Sequence, residues 1–183
     1  QTRLPFVFET VTLRNLEDAA EAIRSMQVRG APLIGATAAY GVCLALRQDA
    51  SDEALDAASD ALAATRPTAI NLRWALEEMR KAVRNQPREA RLAAAYARAA
   101  AICEDDVETN RRIGEHGLGL IQAHADRKKG ETVNILTHCN AGWLATVDWG
   151  TALAPIYRAH DEGIKLHVWV DETRPRNQGA SLT

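Results

Sequence analysis

The stretch PLIGATAAYGVCLALR, residues 32–47, carries almost no polar side chain before Arg47. Pro32 stands where a helix can start, because a first-turn proline sacrifices no intrahelical hydrogen bond. A helix that is apolar all round has no face that prefers water, so other elements must surround it. The neighbouring sequence offers suitable companions. NLEDAAEAIRSM provides Asn15 as a cap, acids in the first turn, and Leu16, Ala19, Ala20, Ile23 and Met26 on one face. SDEALDAASDALAA begins at a Ser51 cap, and NLRWALEEMRKAV carries Leu72, Leu76, Met79 and Val83 as a stripe. A long helical region follows from about Arg88 to Ala123, expected to break or tighten near Gly114, Gly117 and Gly119.

The pattern changes at DRKKGET. TVNILTH and IKLHVWVDE read as short strands, and GTALAPIYRAHDEG between them can supply a helix. Pro155 fits only if that helix starts a residue or so before it, leaving GWLATVDWGT as a loop. Strand, helix and strand in this order imply two parallel strands. The fold class is therefore α/β. Residues 1–128 are expected to form a mainly helical N-terminal domain, and residues 129–183 the start of a doubly wound parallel-sheet domain. Two parallel strands do not complete such a sheet. The chain opens on Gln1 rather than Met and stops just after a Gly-containing loop, so it reads as a piece of a longer protein.

Charge narrows the partners. A formal net charge of −2, with arginines dispersed among acids, gives no basic footprint for nucleic acid. No apolar run reaches the roughly 18–20 residues of a membrane span, and no signal peptide or lipidation motif is present. Cys43, Cys103 and Cys139 form no CxxC pair and no zinc-like spacing with histidine; so sparse a set fits a reducing compartment, the cytoplasm. Cys43 and Cys103 lie inside helical patterns and read as packing residues. Glu104, Asp105 and Asp106 read as a solvated helix face rather than a metal site, so no metal ligands are assigned.

In open α/β sheets ligands gather at the carboxyl ends of the strands. Here the first strand ends in Thr137, His138, Cys139 and Asn140. The second ends in Asp171, Glu172, Thr173, Arg174, Arg176, Asn177 and Gln178. Parallel pairing would bring both clusters to one edge. Cys139 is either a thiolate favoured by following amides or a small residue filling a crowded strand end. His138 is either a base or a hydrogen-bonded structural group. RGAPLIG places Arg29, Gly30 and Ala31 at a helix start, where free N–H groups favour an anion, although a simple helix-starting turn has the same look. TRPTAINL puts Arg66 before a second helix start, as an exposed residue beside a Pro67–Thr68 cap or as a second phosphate anchor.

The motifs VRGAPLIGATAAYG, TRPTAINLRWAL, THCNAGWLATVDWGTAL and VDETRPRNQGASLT, in this order along the whole chain, resemble those of methylthioribose-1-phosphate isomerases. Those enzymes form a wider family with ribose-1,5-bisphosphate isomerases and the regulatory subunits of a translation-initiation exchange factor. The resemblance implies a helical domain followed by a Rossmann-like catalytic domain, usually in a homodimer. It implies conversion of 5-methylthioribose 1-phosphate to 5-methylthioribulose 1-phosphate in methionine salvage, without cofactor. It maps the catalytic cysteine to Cys139 and the substrate contacts to Arg29, Gly30, Ala31, Arg66 and Gln178. The alternatives it leaves are a ribose-1,5-bisphosphate isomerase and a non-catalytic regulatory subunit. The family's second catalytic residue, an aspartate in a later strand-end motif, has no counterpart here, nor has its Asn-Lys substrate contact. Asp171 instead reads as a residue that positions its loop. Residues 1–183 are accordingly expected to be inactive alone.

Overall fold

Local capping chemistry starts the helices where the sequence indicates. In the computed structural model, which describes residues 1–183, Asn15 Oδ1 accepts the Asp18 N–H at 2.8 Å and opens helix α1, Leu16–Arg24. Helix α2 runs Ala31–Leu46. Helix α3, Asp52–Ala63, begins where Ser51 Oγ accepts the Ala54 N–H at 3.1 Å. Helix α4 is Ile70–Arg84, and helix α5 is Arg88–Lys128. The chain divides into two compact units, residues 1–3 with 8–105 and residues 4–7 with 106–183, the division falling within α5.

In the first unit the apolar α2 packs against α1, α3 and α4, as a helix without a polar face requires. Its Ile34, Ala38, Ala39, Val42, Cys43 and Leu46 are buried in one core with Leu72, Leu76, Met79 and Val83 of α4. Each large side chain among them contributes roughly 1.5–3 kcal/mol by leaving water. Cys43 Sγ donates to the Ala39 carbonyl at 3.4 Å, and burial pushes its thiol up to about 12, so it is a packing residue. Arg91 closes the far end. Its guanidinium donates to the carbonyls of Ala50 at 2.9 Å, Gln86 at 3.0 Å and Arg84 at 3.2 Å, and pairs with Asp52 at 2.9 Å.

The second unit holds the sheet. Strand β1, Val133–His138, pairs in parallel with strand β2, Leu166–Asp171, in a register from Val133↔Leu166 to His138↔Asp171. Between them runs helix α6, Ala154–Asp161, with Pro155 in its first turn. A five-residue helix, α7, Gln178–Leu182, follows β2. Val133 and Thr137 of β1 are buried, whereas Leu136 and Trp169, on the opposite face of the sheet, are 67% and 57% exposed. The strand–helix–strand reading is thus observed.

One expectation is corrected. Helix α5 continues for 41 residues through Gly114, Gly117 and Gly119 without a break. A Cβ at Gly114 would stand 3.1 Å from Arg158 Cγ, and one at Gly117 would stand 2.6 Å from Pro155 Cβ. These two glycines mark where α6 crosses. The close packing offsets the roughly 1 kcal/mol that glycine costs a helix relative to alanine.

Candidate functional site

At the carboxyl edge of the sheet the two strand ends are bonded to one another. The Cys139 N–H donates to the Asp171 carbonyl at 3.3 Å, extending the ladder by one residue. The chain then turns sharply, because Cys139 adopts a left-handed conformation with φ of 62°. A side chain held there costs on the order of 1–3 kcal/mol, and such residues cluster at functional sites. A turn, not a helix, starts at Cys139, and the chain reaches a short 3-10 helix at Trp143–Ala145. Its polar neighbour is Thr173, whose hydroxyl donates to Cys139 Sγ at 3.8 Å. Thr183 Oγ1 donates to the Cys139 carbonyl at 2.7 Å.

Three orphan groups surround the thiol along the chain. Thr137 Oγ1 and both amide atoms of Asn140 are buried without a hydrogen-bond partner. Buried polar atoms are nearly always satisfied, so unpartnered ones at a strand edge suit a polar ligand. His138 is exposed, its Nδ1 standing 3.8 Å from Asp171 Oδ2. The carboxylate that organises the second strand end is therefore not that of Asp171. Glu172 performs this role, accepting the N–H groups of Thr173, Gly179 and Ala180 at 2.7, 2.9 and 3.1 Å. These bonds, the one from Thr173 foremost, together with the charge of Arg174, hold its carboxyl below the usual range. Gln178 opens α7, preceded by the left-handed Asn177.

The loop between Cys139 and α6 is ordered by its own bonds. Thr146 Oγ1 donates to the Asp148 carbonyl at 2.9 Å and accepts the Gly150 N–H at 3.0 Å. The Leu153 N–H reaches the Ala141 carbonyl at 3.3 Å. Trp143 stacks on Tyr157 at 5.7 Å and donates its indole N–H to Asp148. Asp106 of α5 accepts the Val147 N–H at 2.8 Å and an Asn110 amide N–H at 3.1 Å. It is thus a half-buried anchor for this loop and not a solvated acid.

Burial pushes the Asp106 carboxyl up from its ordinary value of 3.8, opposed by those two bonds. The folded state therefore holds this proton more tightly than the unfolded chain. The associated stability is complete below the ordinary value and is lost as pH rises through the interval up to the raised folded value. The ionised group still accepts the Val147 N–H. Asp106→Ala is accordingly expected to lower stability at neutral pH by roughly 1–3 kcal/mol, by leaving that buried donor unpaired. Urea melts over a pH series should also show a flatter profile in this mutant across the same interval.

Arg29, Gly30, Ala31 and Arg66 lie in the first unit, and Cys139 and Gln178 in the second. Arg29 is 5% exposed, with Nε donating to the Met26 carbonyl at 3.1 Å. Gly30 caps α2 with φ of 92°, a conformation that suits glycine, and no side chain caps that helix start. The first-turn amides of α2 are thus left to other partners. Arg66 is half-buried, and its buried Nη1 has no hydrogen-bond partner. The exposed-arginine reading is thereby set aside, and so is the cap reading: α4 starts at Ile70 after Ala69, without a side-chain cap. The opening turns of α2 and α4 touch, since a Cβ on Gly35 would stand 3.0 Å from the Asn71 carbonyl oxygen. Both arginine-bearing helix starts therefore belong to neighbouring helix ends of one unit.

A helical unit with two such helix starts, and a βαβ unit with a left-handed cysteine at its strand edge, make up this α/β chain. The chain belongs to the initiation factor 2 subunit family (IF-2B), which matches residues 27–183. It is 67% identical over its whole length to a methylthioribose-1-phosphate isomerase of Paramagnetospirillum magneticum, and 66% identical to one of Methylorubrum extorquens, covering 50% of each. The chain thus spans about half the length of the curated relatives it matches. Among solved structures it is similar to 5-methylthioribose 1-phosphate isomerase from Pyrococcus horikoshii, with a TM-score of 0.85 and 39% identity, covering 98% of this chain and 51% of that one. It is also similar to translation initiation factor eIF-2B subunit delta from A. fulgidus, with a TM-score of 0.83 and 41% identity, covering 99% of this chain and 53% of that one.

Proposed function

We propose that the chain contributes to an aldose–ketose isomerase that converts 5-methylthioribose 1-phosphate to 5-methylthioribulose 1-phosphate in methionine salvage. The observation that carries this reading is the wiring of Cys139 to the loop of Gln178 at the strand edge, through Asp171, Thr173 and Thr183. The isomerases of P. magneticum and M. extorquens, about two-thirds identical, supply the substrate by analogy.

A phosphate on the anomeric carbon prevents spontaneous opening of the sugar ring. The enzyme must protonate the ring oxygen, open the ring and move a hydrogen from C2 to C1. In this reading Arg29 and Arg66, with the amides of Gly30 and Ala31, anchor the phosphate. Gln178 orients the sugar hydroxyls. Cys139 either takes the C2 proton as a thiolate and returns it to C1, or shields a direct hydride shift. The ring-oxygen acid belongs to a later motif with no counterpart among residues 1–183, so this stretch alone is proposed to be inactive. Residues 129–183 are read as the opening of a Rossmann-like catalytic domain, residues 1–128 as its helical companion, and the working protein as a cytoplasmic homodimer.

The test is isomerisation of 5-methylthioribose 1-phosphate by the protein at natural length, with ribose 1,5-bisphosphate as competitor. Turnover of the bisphosphate alone would overturn the substrate assignment. Turnover of neither would favour the regulatory role suggested by the eIF-2B delta likeness. Arg66→Ala is expected to lower kcat/KM by roughly 10–100-fold, the value of a charge-assisted phosphate contact, chiefly through KM. Arg66→Lys should recover part of that loss.

A further inference from the structure

The loop before Gln178 is closed by a single side chain. Glu172 Oε1 accepts N–H groups from both sides of the loop, Thr173 at 2.7 Å and Gly179 at 2.9 Å, and Oε2 takes the Ala180 N–H at 3.1 Å. Gln178 sits between these anchor points. The backbone has little latitude elsewhere: the Asn177 N–H donates to the Thr173 carbonyl at 2.7 Å, and a Cβ on Gly179 would stand 2.7 Å from the Asp171 carbonyl oxygen. Thr173, fixed by the same carboxylate, carries the hydroxyl that donates to Cys139 Sγ. One exposed carboxylate therefore sets the backbone on which both the amide of Gln178 and the hydroxyl partner of the thiol are mounted. Adjacent Asp171 does not share this work: its carbonyl extends the ladder, and its carboxylate lies towards His138.

We propose that Glu172 is a positioning residue for the isomerisation: it touches no substrate and acts by holding Gln178 and the Thr173–Cys139 pair in one arrangement. This rests on Gln178 being a substrate contact. A carboxylate suits the task because it is acceptor-only and offers lone pairs for several N–H donors at once. Catalytic efficiency is sensitive to such placement, since a displacement of about 1 Å in a reacting group can cost on the order of 100-fold.

A kinetic cycle on the natural-length protein tests the proposal, with 5-methylthioribose 1-phosphate as substrate and Glu172→Ala, Gln178→Ala and their combination as variants. Glu172→Ala is expected to lower kcat/KM by about 100-fold. The double mutant should be hardly slower than the slower single mutant, because residues acting through one another are not additive. Glu172→Gln, which keeps one acceptor oxygen for Thr173 and Gly179, should recover much of the loss. It serves as the cycle partner if the alanine variant does not fold. Losses that multiply in the double mutant would overturn the proposal. So would near-wild-type kinetics of Glu172→Ala beside an impaired Gln178→Ala, while leaving the Gln178 reading intact. Full activity of Gln178→Ala would remove that underlying reading, and the proposal with it.

Discussion

In the natural-length protein, Cys139→Ala is expected to lower turnover of 5-methylthioribose 1-phosphate by about 10²–10⁴-fold, the range for removal of an acid–base group, while leaving the fold intact. The structural part of this expectation follows from what the substitution keeps. The Cys139 N–H and carbonyl, bonded to Asp171 and Thr183, are backbone groups that alanine retains. Alanine also carries a Cβ, so the left-handed strain is unchanged. The hydrogen bond that Thr173 Oγ1 donates to Sγ is lost. Cys139→Gly separates strain from chemistry. It relieves a conformation costing on the order of 1–3 kcal/mol and should be as inactive as the alanine variant but no less stable. Full turnover in either variant would sink the assignment of the thiol.

A labelled substrate, turned over by the unmutated protein, shows how hydrogen moves. With substrate deuterated at C2, a thiolate base would exchange part of the label with water before returning it to C1. A shielded hydride shift would deliver the label to C1 undiluted. Proton NMR of the ketose phosphate distinguishes the two, and the answer decides whether Thr173 serves the thiolate or merely orients the thiol.

What was legible in the sequence was local. Asn15 and Ser51 bond to amides three residues along, so their helix starts could be read without tertiary knowledge. The stripe from Leu72 to Val83 and the strands around Ile135 and Val168 follow from periodicity alone. What escaped depends on partners distant in the chain. Gly117 looks like a breaker until Pro155 is seen packed against it. Asp106 looks solvated until Val147 is seen donating to it. Asp171 and Glu172 are adjacent carboxylates, and only the return of Gly179 and Ala180 shows which of them holds the loop. The short helix at Gln178 announces itself only through the left-handed Asn177 before it. The motif around Cys139 singled out the residue, but gave no sign of its left-handed backbone or of the buried, unpartnered amide of Asn140 beside it.

Gly150→Ala is expected to destabilise the second unit by roughly 3–4 kcal/mol and to impair turnover, for two separable reasons. Gly150 has φ of 79°, and a Cβ there would stand 2.6 Å from Gly142 Cα and 2.9 Å from the Ala141 carbonyl oxygen, with the Gly142 carbonyl carbon closer still. These are backbone atoms, so no side-chain rotation makes room. Gly163 supplies the control: its φ is 77°, but nothing lies within 4 Å of its Cβ position. Gly163→Ala should therefore show the conformational cost alone, on the order of 1 kcal/mol. The excess at Gly150 then measures the backbone displacement. That displacement falls on Ala141 and Gly142, directly after Asn140, so it should reach the thiol as lost kcat with little change in KM. Urea midpoints for the two alanine variants, read beside their kinetics, test both parts. Equal destabilisation at the two sites would show that the Gly142–Gly150 contact yields freely. The loop after Cys139 would then be held chiefly by Asp106 and Thr146.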